Sequence, residues 1–137
     1  MTKYPHIVGD ASSMEYAAMV EAFEWAIDLL GILPDERAGL FRIVGVPAVG
    51  GSVSAVARER MMRHVVAIAD AVRTLLACED EIREWLRSPN PGLWSGFRLP
   101  EMLTPLNVML EHPDGVRAIR VQLDGERDRI AYRCLQS

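Results

Sequence analysis

The run VRAIRVQLDGERDRIAYRC (Val116–Cys134) decides the fold class of this chain. Val116, Ile119 and Leu123 recur at the spacing of one helix face. Against that, Ile119, Val121 and Leu123 alternate with Arg120 and Gln122, while Ile130, Tyr132 and Cys134 alternate with Ala131 and Arg133. Asp124-Gly125 between the two halves has the form of a hairpin turn. A tight turn there would set Val121 opposite Asp128 on the apolar face, an unfavourable cross-strand pair. Pairing Leu123 with Ile130 restores the faces but needs a six-residue loop. Pattern alone leaves helix and hairpin evenly matched over residues 116–135.

Outward from this run, the chain reads as helices. Ser12 or Ser13 can cap a helix over 14–30, in which Tyr16, Met19, Val20, Phe23, Ile27 and Leu30 form one face. Glu21, Glu24 and Asp28 fall opposite, and Gly31 ends it. Pro34 and Asp35 open a shorter helix over 35–44, with Leu40, Phe41 and Val44 as its apolar side and Gly39 as a weak point. Val46 to Gly51 is a loop. The longest element follows, with Val53, Val56, Met61, Val65, Ile68, Val72 and Leu75 as its stripe over 53–78. It runs on through a favourable Glu79–Arg83 pair until Ser88-Pro89-Asn90-Pro91 stops it. Gly92 to Leu99 is an irregular connector carrying Leu93, Trp94 and Phe97. Thr104-Pro105 starts a further helix with Leu106, Met109 and Leu110, and His112-Pro113-Asp114-Gly115 ends it.

At 137 residues, half of them apolar and a quarter charged, the chain is long enough to close one core and too apolar for wholesale disorder. Cys78 and Cys134 cannot make a disulfide scaffold. No secretory leader and no membrane-spanning run is visible, so a soluble, cytoplasmic protein is expected. The net charge of −4 hides an uneven distribution. Residues 1–36 hold seven anions against Lys3, whereas 37–63 hold five arginines against Glu59. An acidic chain binds nucleic acid poorly on its own, since backbone affinity comes from neutralising phosphates. Within the basic stretch, Arg58, Arg60 and Arg63 could still touch a DNA backbone. His6, His64 and His112 stand apart from any ligand-spaced Cys or carboxylate, and no nucleophile elbow, phosphate loop or zinc spacing occurs. An enzyme, a metal site and a cofactor are therefore not expected.

The stretch WLRSPNP (Trp85–Pro91) joins an aromatic at a helix end to a proline-locked turn. Trp85 is expected to close the core beneath that turn. Continuing through Leu93, Gly96, Thr104-Pro105-Leu106 to Leu110, then Gly115 and Val116, the sequence resembles the toxin-binding region of MbcA/ParS/Xre-type antitoxins. The resemblance covers residues 53–123 best, and the Trp-to-Pro-Asn turn is its most specific part. It implies an all-α fold, including the undecided C-terminal run. It also implies a helix-turn-helix-like, dimerising part over 1–78 and a toxin-binding region over 79–137. The implied partner is a RES-domain toxin that consumes or uses NAD.

On this resemblance the partner surface comprises Pro89, Asn90, Leu93, Trp94, Phe97, Arg98, Arg117, Arg120, Arg127, Tyr132 and Arg133. Aromatic and arginine side chains are enriched at interface cores. The segment from Arg127 to Ser137 would enter the toxin cleft and exclude NAD. Met19, Phe23 and Trp25 exceed what one neighbouring helix can cover, which with the family habit implies a homodimer. Two features depart from the family. The connector Trp94–Leu103 is longer, and Ala48-Val49-Gly50-Gly51-Ser52-Val53 stands where a DNA-reading helix would present polar side chains. DNA binding is accordingly expected to be weak and without sequence preference. Two other readings compete: a helical transcription regulator without a toxin, contacting phosphates through Arg58, Arg60 and Arg63, and an orphan helical adaptor using the acids of the first helix.

Overall fold

The computed structural model describes residues 15–44, 55–76, 78–89 and 104–136. These form six helices: α1 (Tyr16–Leu30), α2 (Pro34–Val44), α3 (Ala55–Leu75), α4 (Glu79–Leu86), α5 (Pro105–Glu111) and α6 (Gly115–Gln136). No strand occurs among the described residues, so the fold is all-α. None of these helices is long and apolar enough to cross a membrane.

Local chemistry accounts for the helix ends. Gly31 takes a left-handed conformation (φ 66°), and the backbone N–H groups of Gly31 and Ile32 donate to the carbonyls of Asp28 and Ile27. This is the paired closure that glycine permits at a helix C-terminus, with Ile32 buried beneath it. At the start of α2 the Glu36 carboxylate accepts from the Leu33 N–H at 2.9 Å, while Pro34 presents no N–H to satisfy. Thr104 caps α5 reciprocally: its hydroxyl accepts from the Asn107 N–H at 3.0 Å, and the Asn107 side chain accepts from the Thr104 N–H.

The core is one cluster drawn from all six helices, and every fully buried residue described in it is apolar. Helix α3 packs against both α1 and α6. Met19, Phe23, Ala26 and Leu30 of α1 meet Met61, Val65, Ile68 and Val72 of α3 within that cluster, as the two stripes predict. Phe41 of α2 meets Phe23 edge-on, with ring centroids 5.8 Å apart. The homodimer expectation drew on Met19, Phe23 and Trp25. Here Met19 and Phe23 are fully buried within one chain, and Trp25 is half-buried under the Arg73 guanidinium. Little of these three side chains is left for a second copy.

Three expectations change. First, the long element is two helices. It breaks after Leu75, and Cys78 is extended before α4 starts on Glu79, Asp80 and Glu81. Those acids favour a helix N-terminus, and the break lets Ile82 and Leu86 turn into the core. Second, Val56 lies on the predicted stripe but is 62% exposed, and Leu75 is only half-buried. Third, Trp85 packs half-buried at the core's edge, while its neighbour Leu86 is fully buried and does the closing. Helix phase explains this: with Ile82 facing inward, the residue one turn on is Leu86, and Trp85 falls to the flank. The run that pattern alone leaves open between helix and hairpin, residues 115–136, is a single helix, in line with the all-α expectation. Val116, Ile119 and Leu123 are buried and Val121 is 60% exposed, the pattern of a helix face and the reverse of strand alternation. Gly125 sits mid-helix with open space around it, so its turn-forming freedom goes unused.

Candidate functional site

Three joints shape the region from the end of α4 to the end of α6. The first is an arginine clamp. Arg87, just past α4, donates through both terminal nitrogens to the Glu36 carboxylate at 2.7 Å each, and through Nη2 to the Gly31 carbonyl at 2.8 Å. Arg83 adds a bond from Nη2 to the Asp28 carbonyl at 3.0 Å. The two-pronged geometry suits a guanidinium and no other side chain. The hydrogen bonds from Arg87 hold the Glu36 carboxyl below its ordinary range, although partial burial works against them. Ser88 closes the turn by donating its hydroxyl to the Glu84 carbonyl at 2.7 Å. Sequence reasoning gave Trp85 the anchoring part and passed over Leu86, Arg87 and Glu36. The Arg87–Glu36 partnership spans 51 residues and leaves no local signal.

The second joint is the α5–α6 corner. A Cβ on Gly115 would fall 1.9 Å from the Val108 carbonyl oxygen and 2.7 Å from its carbon. Two backbones meet there, and only glycine lets them. Val108, Met109, Val116 and Ile119 are buried around this crossing.

The third joint fixes α6 on α3. Arg120 points Nη1 at His64 Nδ1, 3.1 Å away, and its Nε lies 3.6 Å from Asp124. Arg127 reaches Asp70 of α3 at 3.6 Å. These two arginines, expected to face a partner, serve first as fasteners between helices. Arg117 is exposed, as is Pro89 at the end of the clamp. Asn90, Leu93, Trp94, Phe97 and Arg98 lie outside the described residues, as do the side chains of Tyr132 and Arg133. Among the arginines expected to meet DNA, Arg58 and Arg60 are exposed on α3, whereas Arg63 is largely covered and pairs with Glu59 at 3.3 Å. The loop that stands in place of a DNA-reading helix, 48–53, also lies outside the described residues.

A shallow cavity of about 310 Å³ between α2 and α5 is lined by Asp35, Glu36, Gly39, Arg42, Ile43 and Leu110, with the Glu36 carboxylate already committed to Arg87. No cluster of three His, Cys, Asp or Glu that could hold a metal occurs among the described residues. No family model, curated protein or solved structure matches the chain.

Proposed function

We propose that this chain is an antitoxin-like binding protein that neutralises a RES-domain, NAD-using toxin in the cytoplasm by covering its active site. The observation that carries the reading is how the residues of the resemblance are employed. Leu86, Thr104, Pro105 and Gly115 each answer a specific geometric demand: core closure, a reciprocal cap, a helix start and a backbone crossing. They set α5 and α6 as a rigid corner that presents Arg117 and the exposed Val121 outward, with Pro89 at the end of the clamped turn. Arginine beside apolar surface is a composition favoured at interface centres.

Because residues 115–136 are helical, the blocking element on this reading is the last turns of α6, not a loose tail. Leu123 is the last buried side chain among the described residues, so truncation after Asp124 keeps every buried side chain described. The experiment is co-expression with a RES-domain toxin encoded in the adjacent reading frame. Full-length protein restores growth; the truncated chain, still helical by circular dichroism, binds the toxin and inhibits it poorly. Equal protection by the truncated chain would remove the last turns from the mechanism, and absence of any complex would remove the antitoxin reading itself.

A further inference from the structure

One imidazole on the α3–α6 face touches one arginine and has two more a turn away along the two packed helices. Arg60 and His64 are one turn apart on α3, and Arg117 and Arg120 occupy the neighbouring turn of α6. A guanidinium has no acceptor, so in the Arg120–His64 contact the ring's Nδ1 must accept. The ring proton then sits on Nε2, and His64 is a neutral group that still offers one donor. Burial, followed by the fields of Arg120, Arg117 and Arg60, keeps His64 titrating below its ordinary value, and only Asp124 opposes them.

The charges around this spot do not balance. Asp124 pairs with Arg120, which leaves Arg60 and Arg117 exposed and with no ion pair among the described residues. On the same two helices Arg63 pairs with Glu59, and Arg73 and Arg127 with Asp70, whereas Arg58, like Arg60 and Arg117, is exposed. Positive charges gathered over a low-dielectric helix pair repel one another and focus a potential that attracts anions. Two planar guanidinium forks with a further neutral donor suit an oxyanion with three or more acceptor oxygens and a double charge.

We propose that Arg60, His64, Arg117 and Arg120 form a binding site for a phosphate group, with Arg60 and Arg117 as its charged jaws and His64 Nε2–H as the neutral donor between them. The site joins residues that sequence reading assigned to separate tasks, Arg60 to DNA and Arg117 and Arg120 to a protein partner. It does not rest on the antitoxin reading, since it requires only the packing of α6 on α3.

The test is a proton NMR titration of the His64 ring, assigned with His64→Asn, in inorganic pyrophosphate against sodium chloride of equal ionic strength. Pyrophosphate is expected to saturate and to raise the pH at which His64 titrates, because a bound anion offsets the arginine fields. Arg60→Gln and Arg117→Gln should each weaken binding about tenfold or more, the usual loss for one charge-assisted contact. Both residues are exposed, so their variants keep the fold, as circular dichroism will check. Arg42→Gln, at an exposed arginine of α2 outside the cluster, should bind as wild type does. A His64 response to pyrophosphate no greater than to chloride, or an Arg42→Gln loss equal to that of Arg117→Gln, would overturn the site in favour of diffuse attraction. A duplex of arbitrary sequence serves as competitor in the second arm. Displacement of pyrophosphate by the duplex assigns the phosphate to a nucleic-acid backbone, and failure to displace assigns it to a free phosphate compound.

Discussion

Alanine at Gly115 and alanine at Gly125 are the same chemical change on the same helix, and the structure gives them opposite signs. At Gly115 the added Cβ would lie 1.9 Å from the Val108 oxygen, so the backbones must part by about 1.1 Å to reach even the 3.0 Å limit of real contacts. The obstacle is main chain, which cannot rotate aside as a side chain would. Lifting the first turn of α6 opens the joint lined by Val108, Met109, Val116 and Ile119. A gap of 0.5–1 Å forfeits roughly a quarter to a half of the dispersion energy across it. Overpacking of this kind usually costs about 1–3 kcal/mol, and the rigidity of the obstacle puts Gly115→Ala at the upper end, about 3 kcal/mol. For a chain of this size that is a fall in Tm of roughly 10 °C. At Gly125 nothing lies within 4 Å of the new methyl, and the helix-propensity gain of about 1 kcal/mol should appear unopposed. Urea unfolding followed by far-UV circular dichroism measures both, with the midpoint shifting at constant slope. A Gly115→Ala midpoint equal to or above wild type would refute the account of the α5–α6 corner.

Other substitutions probe the remaining joints. Leu86→Ala should destabilise by about 3 kcal/mol, as for other fully buried leucines, and by more than Trp85→Ala; the reverse order in urea melts would contradict the phase assigned to α4. Glu24 and Glu36 both titrate below their ordinary 4.5, chiefly through side-chain hydrogen bonds from Arg37 and Arg87. Below that value the unfolded chain takes up protons first, so the contribution of these pairs is complete above the ordinary carboxylate range and lost as pH falls through the lowered values. Glu24→Gln with Glu36→Gln should therefore flatten the acid limb of stability against pH, and an unchanged limb would deny the pairs a role. His64 titrates below its ordinary 6.5, mainly because it is desolvated. Its neutral form favours folding above that value, and this support fades as pH drops through the lowered one. His64→Asn should weaken the slope of stability on the acid side of neutrality, which urea melts over a pH series would show.

How much of this was legible in the sequence differs joint by joint. Helix α1 was readable to its last turn, because an unbroken three-four spacing meets a glycine at the position where the chain must turn left-handed. The clamp was invisible, since Arg87 and Glu36 are brought together only when α4 docks on the α1–α2 corner. The α3–α4 break carries neither proline nor glycine, and its sole local sign, three acids in succession at Glu79, reads equally well as a solvated helix face. In α6 the Asp124-Gly125 pair and the alternation around Val121 imitate a hairpin. Burial of Leu123 with exposure of Val121 distinguishes the two, and that is a tertiary fact. The partner surface was read from residue type, which cannot say that Arg120 and Arg127 are occupied by His64, Asp124 and Asp70.

The left-handed corner at Gly31 has a consequence for how relatives of this chain can diverge. Its carbonyl receives Arg87, and a Cβ at the position would meet the Arg83 side chain at 2.9 Å. The corner, its two arginines and Glu36 are therefore four positions under one selective pressure, though they are scattered over more than fifty residues. Drift at any one leaves the others mismatched: a side chain at 31 displaces Arg83, and a lysine at 87 offers Glu36 one prong in place of two. Lineages that lose the glycine should replace the arginines and the glutamate as well, so that correlated change at these four sites, with the rest of α4 free to vary outside Ile82 and Leu86, becomes the evolutionary signature of the clamp.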